Sequence, residues 1–298
     1  MYCFIVDPCR AISEKIWKKL ERQLKIMNID YRVYLTQKPG DARQFAREIT
    51  HSGKAVPAII AVGADGTINE ILDGIFFAGA VTIGYIPMGI NNNLAKSLKL
   101  PRNPYKCMKR IISSGHARYL DYGVLSYGEN AQEHRRFAVS CSIGMDMAEC
   151  CRLPETKFNG IFSSVRARIR QLLAEKPVKG FIILDDVKKI EFNHIFMVTV
   201  HIHPYGNGGF RFAPQADPGD GSMEVCVIHH VTKLGLGLIL LDAFLGRLKN
   251  RRGVRFFNCR EVQIHTDRPM PVRVDGEDYR CQTDIHLRCV EKKVRMII

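Results

Sequence analysis

The chain has 298 residues, enough for one large α/β domain or two ordinary ones with ample core. A hydrophobic fraction of 46% and a charged fraction of 25% exclude a disordered chain. With 44 basic against 30 acidic residues the net charge is +14, a field that suits an anionic partner such as nucleotide phosphate, an acidic membrane surface or nucleic acid.

In chain order, residues 2–7 read as a short apolar strand, and this stretch is too short and lacks the basic flank for a signal peptide. Ser13 is placed to cap a helix on which Ile16, Trp17, Leu20 and Leu24 recur at helical spacing. Residues 31–36 are β-rich, and Gly40 with Asp41 opens a second helix carrying Ala42, Phe45, Ala46 and Ile49. Residues 56–62 are continuously apolar, as in a strand buried on both faces. A glycine turn, a helix from about Thr67, a strand at 82–87, another turn and another helix follow. This alternation predicts a parallel sheet covered by helices on both faces.

After about Asp121 the segments become strand-like, joined by polar turns at 127–136, 206–209 and 218–221, with helical patterns near 161–174 and 233–249. A second, mostly antiparallel β lobe is expected there. The longest apolar run, 234–245, is broken by Asp242 and falls short of the ~20 residues of a spanning helix. The expectation is a cytoplasmic protein, at most peripheral at the inner membrane face. Leu234, Leu238, Leu241 and Leu245 read as core, with membrane contact as the alternative. Basic residues cluster at 246–260 and at Arg166, Arg168, Arg170, Lys176 and Lys179, either as an anion-attracting field or as a solvated face. The ten cysteines lack a C-x-x-C pair and read as buried, reduced thiols.

The most informative stretch is 61–70, AVGADGTINE, in which a buried strand enters a tight Gly63/Gly66 turn and then a helix. Glycines let backbone N–H groups approach phosphate, and the helix N-terminus adds partial positive charge. Thr67 and Asn69 offer neutral hydrogen-bond groups, whereas Asp65 is a poor neighbour for phosphate unless magnesium lies between them. Spacing alone leaves a purely structural turn open.

Residues 63–70 resemble the G-G-D-G-T-x-N-E loop of the diacylglycerol kinase catalytic-domain family, which includes sphingosine, ceramide and bacterial lipid kinases. Residues 87–96, PMGINNNLAK, resemble its P-x-G-T-x-N-D-x-A-R. Asp7-Pro8, Thr36 with residues 40–42, residues 137–146, residues 214–216 with Asp220-Gly221, and residues 274–277 (VDGE) resemble further motifs of the family, in order along nearly the whole chain. The implied fold is α/β and two-lobed. Its N-terminal sheet is doubly wound and mostly parallel (NAD-kinase/phosphofructokinase-like), and its C-terminal lobe is a mostly antiparallel β-sandwich. The nucleotide-binding domain would comprise 1–122, with about 290–298 returning, and the lipid- and magnesium-binding domain 123–289.

The resemblance further implies an ATP- and Mg2+-dependent lipid kinase acting on a diacylglycerol-like or sphingoid alcohol. Asp7, Thr36, Gly63, Ala64, Asp65, Gly66, Thr67, Asn69, Glu70, Gly89, Ile90 and Asn92 would hold the nucleotide, Asp65 within a magnesium–water network. Asp217, Asp220 and the Ser222 carbonyl would hold a structural magnesium. Glu277 would be the general base, a role that also suits phosphoryl transfer, where a carboxylate orients the attacking hydroxyl. As bare sequence, Asp275-Gly276 is also a favoured hairpin turn. Implied partners are ATP, a membrane lipid, an anionic membrane surface reached through the basic clusters, and optionally a second copy of the chain. No base-stacking platform is present, so nucleic acid is not expected.

The chain departs from the pattern at Ala64, where a methyl group costs ~1–2 kcal/mol if the position needs positive φ. Ile90 replaces a hydroxyl residue, Asn91 and Asn93 replace Gly and Asp, and Val139 replaces Asn. These changes keep open a catalytically weakened nucleotide- or lipid-sensing protein. A soluble-substrate kinase shares the first loop but fits the later motifs less well.

Overall fold

Runs of aliphatic residues with no interruption by charge build the central strands. In β1 (Tyr2–Val6), β3 (Ile59–Gly63) and β4 (Thr82–Pro87) nearly every side chain is buried, the pattern of a sheet covered on both faces. The computed structural model describes residues 1–8, 11–51, 58–77, 81–89, 92–113, 116–128, 132–145, 176–206, 209–249 and 251–298, the backbone alone at 11–13. Two units emerge, one of residues 1–122, 136–138 and 290–298, the other of 123–135 and 139–289.

In the first unit, β1 pairs in parallel with β2 (Tyr31–Leu35) on one side and β3 on the other, and β3 pairs with β4. The chain re-enters through the end of β13 (Glu277–Ile297), where Arg295 and Met296 run parallel to Thr82 and Ile83. Lys292 N–H donates to Asp121 Oδ1 at 2.7 Å, pinning this return. Trp17, Leu20 and Leu24 of α1 (Ala11–Ile26) and Met108 and Ile111 of α5 (Pro104–Ser113) pack with Phe4, Val6, Ile60 and Val62. Ala42, Ala46 and Ile49 are the buried face of α2 (Asp41–His51). The doubly wound parallel sheet expected from the sequence is therefore observed. Two boundaries differ: α1 opens at Ala11, so Ser13 lies in its first turn and is not its cap, and α3 (Asp65–Gly74) begins two residues before Thr67. Arg136 closes α3, its Nη1 donating to Leu72 O at 2.9 Å and Ile75 O at 2.6 Å while its guanidinium covers the Phe77 ring.

In the second unit β7 (Ser140–Gly144), β9 (Lys188–His201), β10 (Met223–His229), β11 (Val254–Cys259) and β12 (Glu261–Val274) pair antiparallel in the order β11-β10-β9-β7-β12, with β13 beside β12. β8 (Val178–Leu184) joins β12 and β9. The register of β12 breaks between His265 and Val272, around Pro269 and Pro271, which lack the N–H a ladder needs. The helix expected at 233–249 is shorter. It is α6 (Lys233–Phe244) after the short α4 (Asn93–Ser97), and it stops where Gly246 adopts φ 67° and Arg247 N–H reaches back to Asp242 O. The helix expected near 161–174 lies outside the described residues. Among the described residues no helix is long and apolar enough to cross a membrane. Their cysteines are free, and all are buried or half-buried except Cys281, which is exposed against expectation.

His201, fully buried in β9, lies 2.8 Å from Thr199 Oγ1 through Nε2 and 3.2 Å from the His203 carbonyl through Nδ1. Burial pushes its pKa down to about 4 from 6.5. The folded value lies below the unfolded one, so the contribution is present above pH 6.5 and is lost as pH falls towards 4. The expected loss is about 3 kcal/mol. Urea titrations at pH 7 and pH 4.5 on wild type and His201→Gln check this. The wild type should lose the larger share, and parallel losses would refute it.

Candidate functional site

Four strand ends build the first part of the site. Asp7 follows β1, Thr36 follows β2, Gly63 closes β3 and Gly89 follows β4, all at the carboxyl edge of the parallel sheet. The chain leaves β1 for β2 on one side and reaches β3 on the other, so Asp7 and Gly63 flank the point where winding reverses. Such a point is where open α/β sheets receive ligands.

The turn from β3 into α3 carries no side-chain cap: Ala64 occupies the N-cap position, and its side chain accepts nothing. Thr67 N–H donates to Ala64 O at 3.1 Å, so the Asp65 and Gly66 N–H groups carry the partial positive charge that an anion site requires. Ala64 has φ −89°, so it pays none of the cost expected for a left-handed residue. The two glycines are needed for space. A Cβ on Gly63 would stand 2.3 Å from Thr67 Oγ1, and one on Gly89 would stand 2.8 Å from the Ala64 methyl. Thr67 Oγ1 in turn lies 3.4 Å from Asp7 Oδ2.

Asp65 is the buried acid of this turn, and its carboxylate is aimed at α4. Oδ2 accepts from Asn93 N–H at 2.5 Å, Oδ1 from Tyr85 O–H at 3.2 Å, and the Leu94 N–H also donates. Burial raises its pKa above the usual carboxyl range, and these donors act against the rise. The carboxylate thus ties the two glycine loops together, a link repeated where Met88 N–H donates to Gly63 O at 2.7 Å. Asn92, at φ 43°, closes the second loop by donating from Nδ2 to Gly89 O at 2.7 Å. Asn93 Oδ1 is buried without a partner, an acceptor that suits a metal-bound water. Ile90 lies outside the described residues. Thr36 is buried and turned to Val6 O, Asn69 Nδ2 donates to Arg136 O at 2.9 Å, and Glu70 Oε1 accepts from Gly40 N–H at 2.9 Å. Those three side chains hold neighbouring backbone in place, and Gly66 lies between Asp65 and Thr67 in the first turn of α3.

In the second unit, Asp217, Asp220 and Ser222 line one cavity of about 250 Å³ with Gln215, Glu224 and Asn258, and no lining residue is basic. Asp220 Oδ1 accepts from Ser222 N–H at 2.9 Å and Oγ–H at 2.7 Å, and Asp217 Oδ1 from Gly219 N–H at 3.1 Å. Glu224, buried in β10 with a raised pKa from that burial, accepts from Gln215 N–H at 2.9 Å and sets this loop against the sheet. Among the described residues no three His, Cys, Asp or Glu side chains form a metal cluster. The Asp217 and Asp220 carboxylates in an anionic pocket still fit magnesium, which keeps several waters and takes one or two carboxylates, while the Ser222 carbonyl faces the Cys289 thiol at 3.8 Å.

Glu277, half-buried, opens β13 opposite Val274. The turn before it has Asp275 at φ 48° and Gly276 at φ 91°, the paired left-handed residues of a tight hairpin. Asp275 Oδ1 accepts from Val139 N–H at 2.9 Å and Ser140 N–H at 2.8 Å, so the turn that aims Glu277 is locked to β7. Sequence reasoning missed Tyr85, Arg136 and Glu224 in these roles. For Tyr85 and Glu224 the signal was a polar or charged group inside an otherwise apolar strand, since a buried polar tip finds a partner, whereas Arg136 stands in a charged segment that offers none.

The first unit is thus a doubly wound α/β sheet with an uncapped glycine turn at its switch point, and the second is an antiparallel β unit. The profile described as the diacylglycerol kinase catalytic domain matches residues 2–125, and that of the YegS C-terminal NAD kinase beta sandwich-like domain matches 140–298. The chain belongs to the family defined by these two domains, a diacylglycerol kinase catalytic domain followed by a YegS-type β-sandwich domain. It is 23% identical over 290 residues to the Bacillus subtilis lipid kinase candidate YtlR, covering 92% of each chain, and 23% identical over 284 residues to the diacylglycerol kinase of the same organism, covering 90% of this chain and 86% of that one. A crystal structure of a diacylglycerol kinase from Bacillus anthracis str. Sterne shares the fold at a TM-score of 0.73 with 18% identity, over 99% of this chain and 96% of that one.

Proposed function

We propose that this protein is an ATP- and magnesium-dependent lipid kinase that transfers the γ-phosphate to the hydroxyl of a diacylglycerol-like or sphingoid lipid. The observation that carries the reading is the uncapped first turn of α3, whose own acid is turned away to α4. Had the Asp65 carboxylate faced outward, it would have repelled phosphate. The turn N–H groups, with Asp7, Gly63, Ala64, Gly66, Thr67 and the Gly89–Asn92 loop, would cradle the phosphates. Asn69 and Glu70 would support that loop by fixing its neighbours. Asp217, Asp220 and the Ser222 carbonyl would hold magnesium in the β unit, where its charge steadies an acidic loop. A metal bound with the nucleotide neutralises phosphate charge. Glu277 would accept the proton of the attacking hydroxyl. The substrate is membrane-borne, so the protein would work at an anionic bilayer from the cytoplasmic side.

The test offers labelled ATP and magnesium with diacylglycerol, a sphingoid base and ceramide in mixed micelles. Label should enter at least one lipid and depend on magnesium. Label in none of the three, with ATP still bound by calorimetry, would overturn the kinase reading.

A further inference from the structure

We propose that α6 docks the protein on an anionic bilayer by laying an outward stripe of leucines among the acyl chains, flanked by basic residues at the headgroups. The inference deepens the membrane part of the proposed function and is independent of its chemistry, because vesicle binding needs no nucleotide.

Helix α6 is apolar on two opposite faces. Leu236, Ile239 and Ala243 are buried with Met197, Phe210 and Phe212. Leu234, Leu238, Leu241 and Leu245, expected as core from sequence, are 79%, 46%, 52% and 50% exposed, and Phe244 is 68% exposed. At about 100° per residue the exposed leucines centre opposite the buried stripe. The only acid between residues 233 and 260 is Asp242, and Arg251 engages it. A contiguous apolar stripe of this kind on a surface marks an interaction site.

Charge selects the occupant. Lys233 precedes the helix core, and Arg247, Lys249, Arg252 and Arg255 follow it, all exposed. Basic residues around an apolar helix face fit anionic headgroups, whereas a second copy seated here would oppose one basic cluster to another. At twelve residues the helix is too short to span and long enough to lie in the interface.

The test sediments the full chain with phosphatidylglycerol–phosphatidylcholine vesicles and with phosphatidylcholine alone. Wild type should bind the anionic vesicles preferentially. Leu238→Asp with Leu241→Asp should weaken binding at least about tenfold. Arg247→Glu with Lys249→Glu should weaken it on the order of thirtyfold, more at low salt than at high. Both variants should keep the wild-type melting temperature, since none of the four side chains is buried. Unchanged sedimentation of the leucine variant would overturn the proposal. So would a wild-type dimer by light scattering that this variant splits, which would give the face to a second copy. Vesicle binding with no lipid phosphorylated would support the docking surface and remove the kinase reading alone.

Discussion

Replacing Asp65 with alanine is expected to lower stability by about 3–5 kcal/mol and to abolish nucleotide binding. Three donors converge on this carboxylate, the Asn93 and Leu94 N–H groups and the Tyr85 hydroxyl, and Tyr85 is fully enclosed in β4. The Asn93 and Leu94 N–H groups would be left without this acceptor at roughly 1–3 kcal/mol each, the Tyr85 hydroxyl keeps Asn92 Oδ1 at 3.4 Å, and relief of the carboxylate's own desolvation offsets part of the sum. The damage is directional. Without the acid, the N-terminus of α4 loses its side-chain acceptor from the first loop, and the backbone bond from Met88 N–H to Gly63 O is left to tie the two loops. Asp65→Asn keeps one acceptor oxygen but turns an amide N–H₂ towards a donor, so it should fall between wild type and alanine. Thermal unfolding checks the ranking, with about 2–4 °C expected per kcal/mol in a domain of this size. If the alanine variant melts within a degree or two of wild type, Asp65 is not the tie between the loops.

That tie also marks the limit of what the sequence discloses. The glycine loops, the buried strands and the alternation of the first unit were legible, because periodicity and glycine placement are local properties. The direction of Asp65 was not, since it depends on which helix N-terminus the fold brings within 3 Å of it. The cost set against Ala64 was conditional on a positive φ for a similar reason; its φ of −89° removes that cost, and the crowded position is Gly89, packed on the Ala64 methyl. The leucines of α6 show the reverse error. Leucines at helical spacing predict burial, but α6 has a second apolar stripe that fills the core first, leaving these on the surface. Arg136 is legible only in three dimensions, because its carbonyl and guanidinium serve a helix more than sixty residues earlier.

Glu277→Gln is expected to reduce lipid phosphorylation by about 10²–10⁴-fold while leaving ATP binding and melting temperature at wild-type values. Glutamine matches the shape of glutamate and cannot accept a proton, so the substitution isolates the base from the scaffold. The scaffold is robust here. Glu277 is half-buried, its backbone pairs with Val274, and the preceding turn is fixed by Asp275 on the Val139 and Ser140 N–H groups. A rate loss with unchanged stability would therefore report proton transfer and not a displaced hairpin. Asp275→Ala supplies the contrast: it should lower both stability and rate, because two N–H groups lose their acceptor and the turn that aims Glu277 slackens. Rate against pH separates the two further. Glutamine should erase the acidic limb set by ionisation of the base, whereas the alanine variant should keep that limb at a lower height. A glutamine variant that retains the wild-type rate would assign the proton to another acceptor and leave Glu277 as a hairpin residue only.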